Sequence, residues 1–221
     1  DKQDAWNGFN ILHTAASRVA GLDMGFIPQT GGMALEAIIK GCKTGKIKTV
    51  FSLGADEIPA DKFGDAFVIY QGSHGDQGAH RADIILPGVA YTEKDALWVN
   101  MEGRVQMGLQ AVPAKGEAKQ DWAIIRALSE HCQRTLPYDN IEELRAKLIA
   151  DHPTFGGLDH APGTQGAESF DPAKVGRAGK VLKAPLGSIL GDFYFTNPIA
   201  RASTVMAECS NVHNPISEAA E

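Results

Sequence analysis

Cysteine is scarce in this 221-residue chain: Cys42, Cys132 and Cys209 are its only thiols, and no two are neighbours in sequence. Iron–sulfur and structural zinc sites gather thiolates or imidazoles at close spacings such as C-x-x-C, so the sequence carries no signature of either. An odd, sparse count also excludes a disulfide framework and suits a reducing compartment. Long apolar runs are missing, and none approaches the roughly 20 residues of a membrane-spanning helix. The start shows no secretory signal. It also lacks Met, and Asp1-Lys2-Gln3-Asp4 reads as the opening of a fragment or processed product. Positive charge is not in excess: Lys and Arg number 21 against 27 Asp and Glu, a net charge of −6. That balance is not the footprint of a nucleic-acid surface. No G-x-G-x-x-G follows a strand, and there is no P-loop. Ser52, Ser73 and Ser203 lack any G-x-S-x-G setting. His74 and His80 lie near Asp76 and Asp83, but their spacing matches no familiar metal-ligand pattern.

What is present is a globular composition, 43% hydrophobic, enough for a sizeable core. Trp6 to Ala20 carries apolar residues at helical spacing, with Gly21 as its expected end. Met33 to Cys42 reads as a second helix. Three short apolar strands follow, Lys48 to Gly54, Ala66 to Tyr70 and Ile84 to Leu86, the last expected to be buried and stopped by Pro87. Helices alternating with strands at these intervals predict a mainly parallel α/β sheet. Ligands of such sheets sit beyond the carboxyl ends of the strands. Three polar loops fall there: Gly54 to Glu57, Gln71 to Asp76, and Pro87-Gly88. Asp56 and Glu57 at a strand end would repel a phosphate, so the crevice is expected to be vestigial rather than occupied.

Further on, Trp122 to Cys132 and Ile141 to Ile149 read as helices, the second capped by Asn140. From Thr154 onward Gly and Pro punctuate a stretch without a strong period. Its apolar residues Leu186, Ile189, Leu190, Phe193, Tyr194 and Phe195 predict that the far part docks on something. The expected division is therefore an α/β domain over 1–152, incomplete at its N-terminus, and an extended arm over 153–221 that packs on the domain or on a neighbouring subunit.

One run stands apart. Ala82-Asp83-Ile84-Ile85-Leu86-Pro87-Gly88 is followed by Glu93, and then Asn100, Glu102, Gly103, Arg104 and Gln106 crowd into seven positions. Val99, Met101 and Val105 suit one face of a hairpin turning at Glu102-Gly103. Arg104, with five donors, has Glu102 and Glu93 as nearby acceptors, so a local ion-pair and hydrogen-bond network is one reading and ligand binding the other.

The run resembles the molybdopterin oxidoreductases, in which an Ala-Asp-x-x-Leu-Pro motif precedes Glu-x-x-Gly-Thr-x-x-Asn-x-Glu-Gly-Arg-x-Gln. Ala82, Asp83, Leu86 and Pro87 match the first part, and Glu93, Asn100, Glu102, Gly103, Arg104 and Gln106 the second. Ala96-Leu97 replaces the Gly-Thr pair, a departure that opposes cofactor binding. Gly88 to Lys94, Asn10 to His13, Val19 to Asp23, Phe195 to Ser203 and Met206 to Cys209 are similar to the large iron–sulfur subunit of respiratory complex I, whose C-terminal part carries a degenerate form of that domain. The resemblance implies a Rossmann-like sheet flanked by helices. It implies a non-catalytic segment of NADH:quinone oxidoreductase, on the cytoplasmic or matrix side of the membrane. It implies no cofactor in this segment, with 4Fe-4S and 2Fe-2S clusters carried upstream in the parent subunit. Its partners would be that cluster-bearing part and other peripheral-arm subunits, with no nucleic acid and no direct membrane insertion. The vestigial crevice would be lined by Asp56, Gln71, Pro87, Asn100 and Arg104. The alternative is a formate-dehydrogenase-like segment that binds molybdopterin guanine dinucleotide in that crevice.

Overall fold

The computed structural model describes residues 2–3, 6–7, 17–160, 179, 183 and 191–214. At the start, β1 (Lys2–Gln3) pairs antiparallel with β2 (Trp6–Asn7). The expected helix from Trp6 is therefore corrected at its first residues, while residues 8–16 lie outside the described set. α1 (Ser17–Asp23) does not stop at Gly21. It runs to Asp23 and is closed by Gly25, whose φ of 65° is left-handed. Gly25 N–H donates to the Leu22 carbonyl and Phe26 N–H to the Gly21 carbonyl, the paired bonds that close a helix through a glycine one residue past its cap.

α2 (Leu35–Lys43) leads into the parallel sheet: β3 (Thr49–Leu53), β4 (Phe67–Gly72) and β5 (Ile84–Pro87), in that spatial order. Phe51 aligns with Ile69, and Ile69 with Ile84. A 3-10 turn (Ala60–Phe63) links β3 to β4, and α3 (Gln77–Arg81) links β4 to β5. One face of the sheet is packed: Cys42, Phe63, Ala66 and Val68 are buried together, with Ile38, Ile47 and Val50 against them. The expectation of a buried β5 is corrected, because Ile84 and Ile85 are exposed on an edge strand. Pro87 is the strand's last residue rather than its stop. A proline is tolerated at an edge because one side of the ladder has no partner strand to serve.

The chain then forms a 3-10 turn (Tyr91–Glu93), the antiparallel hairpin β6 (Ala96–Val99) and β7 (Val105–Gly108), and the helices α4 (Asp121–His131) and α5 (Ile141–Asp151). Val99 and Val105 face each other and are buried with Phe155, which sits in a 3-10 turn (Pro153–Gly156). Phe155, just past residue 152, thus packs on the β6–β7 hairpin. Met101 falls in the turn and is exposed, unlike its two expected partners. Near the end, a 3-10 turn (Phe193–Phe195) precedes α6 (Pro198–Arg201) and α7 (Thr204–His213). Asn197 and Ser203 cap these helices by accepting from the N–H groups of Ala200 and Met206. Leu186, Ile189 and Leu190 lie outside the described residues.

Candidate functional site

The carboxyl ends of β3, β4 and β5 carry Asp56, Gln71 and Pro87, so three of the five expected crevice residues stand along one edge of the sheet. Asn100 and Arg104 do not join them. They build the β6–β7 turn: the Asn100 side-chain oxygen accepts from the N–H groups of Glu102 (3.0 Å) and Arg104 (2.9 Å), and Arg104 Nη1 donates to the Asp159 carbonyl at 2.8 Å. The expected Arg104 ion pairs are absent among the described residues. Glu93 instead accepts from the Ala90 N–H and closes its own 3-10 turn.

Asp56 is 4% exposed, which demands a partner of opposite charge. That partner is Arg201, at the last residue of α6 and 145 positions away. Nε donates to Oδ2 at 2.7 Å and Nη2 to Oδ1 at 2.6 Å, a fork-to-fork pair. Nη1 donates to the Phe195 carbonyl at 2.7 Å, and Glu57 lies 3.6 Å from Nη2. The hydrogen bond to Asp56 pushes the Arg201 guanidinium further above its ordinary range, so it stays charged. Asn197 and Pro198 start the short helix, and that start sets where Arg201 emerges.

Gln71 is fully buried. Its Nε2 donates to Asp121 Oδ1 at 2.9 Å and to the Asp121 carbonyl at 3.3 Å, while its Oε1 finds no partner. Lys94 donates to Asp121 Oδ2 at 2.5 Å. Position 88 must be glycine for this arrangement, because a Cβ there would stand 2.9 Å from Asp121 Oδ1. Tyr70 donates to Asp76 Oδ2 at 2.6 Å. Burial, with the Asp76 carboxylate beside it, holds the Tyr70 phenol well above its usual value of 10.0. Asp76 Oδ1 accepts from the Ala79 N–H and so caps α3. A cavity of about 190 Å³ lies among Tyr70, Gln71, Asp76, Lys94, Asp121 and Pro198. A groove of about 990 Å³ adjoins it, walled largely by Val89, Tyr91, Trp98, Ile199 and Met206. Pro87 lines a third hollow of about 560 Å³ with His74 and Lys115.

Sequence reasoning missed Arg201, Asp121, Lys94, Tyr70 and Asp76 as members of this constellation. Arg201 and Lys94 had a signal, since they lie in the Phe195 to Ser203 and Gly88 to Lys94 stretches that carry the resemblance, and Asp76 lies in one of the polar loops expected at the strand ends. Chemically the edge is a set of closed pairs. Ser73 Oγ and His74 Nδ1 are 2.8 Å apart, but both are surface groups on one loop. Neither matches the convergence a nucleophile and its base require.

A dinucleotide does not fit these residues. In doubly wound sheets a pyrophosphate takes the N–H groups at a strand-to-helix turn. After β4 that position belongs to the Asp76 carboxylate. Lys94, which lines the small cavity, is already engaged by Asp121, and Arg201, which pairs at the same sheet edge, by Asp56. Nor do the cysteines fit an iron–sulfur cluster: Cys42 is in α2, Cys132 follows α4 and Cys209 is in α7. Among the described residues no three His, Cys, Asp or Glu side chains gather as a metal site.

Residues 1–131 match the family described as molybdopterin oxidoreductase, and residues 159–209 match the family described as the C-terminal region of the G-type NADH-ubiquinone oxidoreductase chain. The chain is 41% identical over 210 residues to the mitochondrial NADH-ubiquinone oxidoreductase 78 kDa subunit of Neurospora crassa, covering 94% of this chain and 27% of that protein. It is 40% identical over 215 residues to the NADH-ubiquinone oxidoreductase 75 kDa subunit of Reclinomonas americana, covering 96% and 30%. It is 40% identical over 206 residues to the mitochondrial NADH dehydrogenase [ubiquinone] iron-sulfur protein 1 of Solanum tuberosum, covering 93% and 26%. The chain thus spans less than a third of these relatives' length. Among solved structures, acetylene hydratase from Pelobacter acetylenicus is similar with a TM-score of 0.45 and 23% identity, over 52% of this chain and 18% of that one.

Proposed function

This chain belongs to the molybdopterin oxidoreductase family and corresponds to a C-terminal part of the large iron–sulfur subunit of complex I, and on that premise we propose that it is a structural segment of an NADH:quinone oxidoreductase. In this reading the whole enzyme passes electrons from NADH to quinone and couples them to proton translocation. The clusters that carry the electrons, 4Fe-4S and 2Fe-2S, lie upstream in the same polypeptide. This segment carries none of them. It holds the cluster-bearing part against other peripheral-arm subunits, on the cytoplasmic or matrix side of the membrane.

The observation that carries the reading is the Arg201–Asp56 pair. The short helix α6 lays the Arg201 guanidinium across the edge where the family's fold would receive a ligand. A site whose charges are spent on each other holds elements together rather than turning over a substrate. No helix among the described residues is long and apolar enough to cross a membrane. The formate-dehydrogenase-like alternative requires the Asp76 and Asp121 carboxylates to face a pyrophosphate, a repulsion that a dry crevice strengthens.

The test is a native pull-down of the complete gene product from membranes, with partners identified by mass spectrometry and bound metals by elemental analysis. Expected are the NADH-oxidising flavoprotein and quinone-site subunits, with iron and no molybdenum or tungsten. Recovery with near-stoichiometric molybdenum or tungsten would overturn the proposal.

A further inference from the structure

Arg81, Lys94, Arg126, Lys147 and Arg201 each hold a carboxylate at 3.3 Å or less. Lys40, Lys43, Lys46 and Lys48 hold none among the described residues, although all four are exposed. They fall within nine residues that contain no acid, in a chain whose net charge is −6. Like charges so close in sequence repel one another. Glu36, one turn earlier on α2, does not reach Lys40.

The end of α2 does not need these cations. A helix leaves its last four carbonyls without partners, and lysines near a C-terminus often serve them. Here the Thr44 N–H and Oγ1 donate to the Lys40 carbonyl at 3.1 and 3.0 Å. Thr44 Oγ1 and the Ile47 N–H donate to the Gly41 carbonyl at 3.2 and 3.0 Å, and the Gly45 N–H to the Cys42 carbonyl at 3.0 Å. The helix dipole favours cations in the last turn only, which accounts for Lys40 and Lys43 but not for Lys46 and Lys48. The display is also rigid. A Cβ at Gly41 would stand 2.8 Å from Ile47 Cδ1, Cys42 is buried against Val68, and the Lys48 carbonyl accepts from the Phe67 N–H at 2.8 Å. The patch therefore stands at the amino edge of the sheet, a strand length from Asp56 and Gln71.

We propose that Lys40, Lys43, Lys46 and Lys48 form a docking patch for an acidic surface, a cluster of Asp and Glu side chains on another subunit of the assembly. The inference rests on the complex I reading and gives it an interface. Charge complementarity selects the occupant. Every cation of the patch is an ammonium, a point charge that suits single carboxylates, and it contains no arginine, whose planar fork fits phosphate. Its one large apolar side chain, Ile47, is tucked against Gly41 and leaves nothing to insert into a lipid surface. The chain's net charge of −6 also opposes an anionic membrane. Exposed charges of one sign steer a partner that arrives by diffusion, a service that a tethered segment of the same polypeptide does not require.

The experiment couples lysines to carboxylates with a zero-length carbodiimide in the assembled complex purified from membranes. Mass spectrometry should find Lys40, Lys43, Lys46 or Lys48 joined to Asp or Glu of another subunit. Links from these lysines to the same polypeptide alone, or no links, would overturn the proposal while the co-purified subunits left the complex I reading standing. Recovery without any other subunit would overturn both. A second measurement uses Lys43→Glu combined with Lys46→Glu in the complete gene product. Both side chains are exposed, so its thermal midpoint should not move, whereas its incorporation into the complex at low salt should fall about tenfold. Arginine at both positions keeps the charge and should incorporate as the parent does. Incorporation unchanged by glutamate, or lost equally with arginine, would refute the docking. So would binding of the purified product to vesicles of phosphatidylserine in phosphatidylcholine that disappears with the glutamates, which would assign the patch to a lipid surface.

Discussion

The two sides of one small sheet are finished in opposite ways. At the carboxyl edge the chain meets nearly all its own needs: Asp56 has Arg201, Asp121 has Lys94 and Gln71, and Asp76 has Tyr70 and the start of α3. On the Phe51 face it meets almost none, and large apolar side chains stand in solvent. A polar edge can be closed by side chains that reach in from distant parts of the chain. A bare apolar face needs another layer of secondary structure, and that takes more polypeptide. The difference separates an edge closed by side chains from a face that no second layer covers among the described residues.

The largest expected effect breaks the self-sufficient side. Arg201→Ala leaves the Asp56 carboxylate buried without a partner, and removing one member of a buried pair costs about 2–4 kcal/mol. Asp56→Asn should cost less, because the amide still accepts from the guanidinium. The double variant Asp56→Leu with Arg201→Met should recover much of the loss, since buried pairs replaced by apolar groups are often neutral. Urea denaturation of the four proteins checks this. Equal stability of Arg201→Ala and the parent would show that the latch contributes nothing.

How far this contrast was legible in sequence depends on the range of the interactions. The three parallel strands could be read because each is a short apolar run that opens into a polar loop, and local pattern determines that. The edge that carries Asp56, Gln71 and Pro87 followed from the general geometry of parallel sheets. Arg201 could not be placed by pattern, because nothing within four residues of it marks a partner 145 positions away. Asn100 and Arg104 were expected in the crevice on the strength of the family resemblance, yet a five-residue turn consumes both. The short helix α3 is not legible in the sequence because five residues give no period, although Asp76 is the N-cap type that opens one. The bare face escaped notice because exposure of a strand depends on what lies opposite it, and a strand rich in Ile and Phe reads as buried whether or not its cover is present.

A middle-sized effect sharpens how tightly the polar edge is packed. Tyr70 lies between two glycines: a Cβ at Gly78 would stand 2.3 Å from its ring, and one at Gly72 2.5 Å. Gly78→Ala should therefore force the ring and its bond to Asp76 to shift, at about 1–3 kcal/mol. Phe26→Ala, on an exposed side chain after α1, should by contrast stay within about 0.5 kcal/mol. Thermal unfolding compares the two directly, and a larger loss at Phe26 than at Gly78 would contradict the packing described here.

The smallest effect concerns a second tie in the segment that supplies Arg201. Asp192 accepts from the Ser210 hydroxyl of α7, its main cause of acidity, and from the Tyr194 N–H, and these bonds hold its carboxyl below the ordinary 3.8. A carboxyl lowered in the folded state adds stability that is fully present above its unfolded value. That stability is lost as pH falls below 3.8 and through the folded value. Ser210→Ala should raise the Asp192 pKa toward 3.8 and remove most of the acid-side loosening of α7, because the folded and unfolded values then nearly coincide. Carbon-detected NMR titration of the Asp192 carboxyl reads the shift. Because Arg201 grips Asp56 independently, its hydrogen bonds should persist through this transition. If the Arg201 side-chain NH signals broadened together with the protonation of Asp192, the two ties would be one cooperative latch. The closed edge would then owe its order to Ser210 as much as to the charge pair.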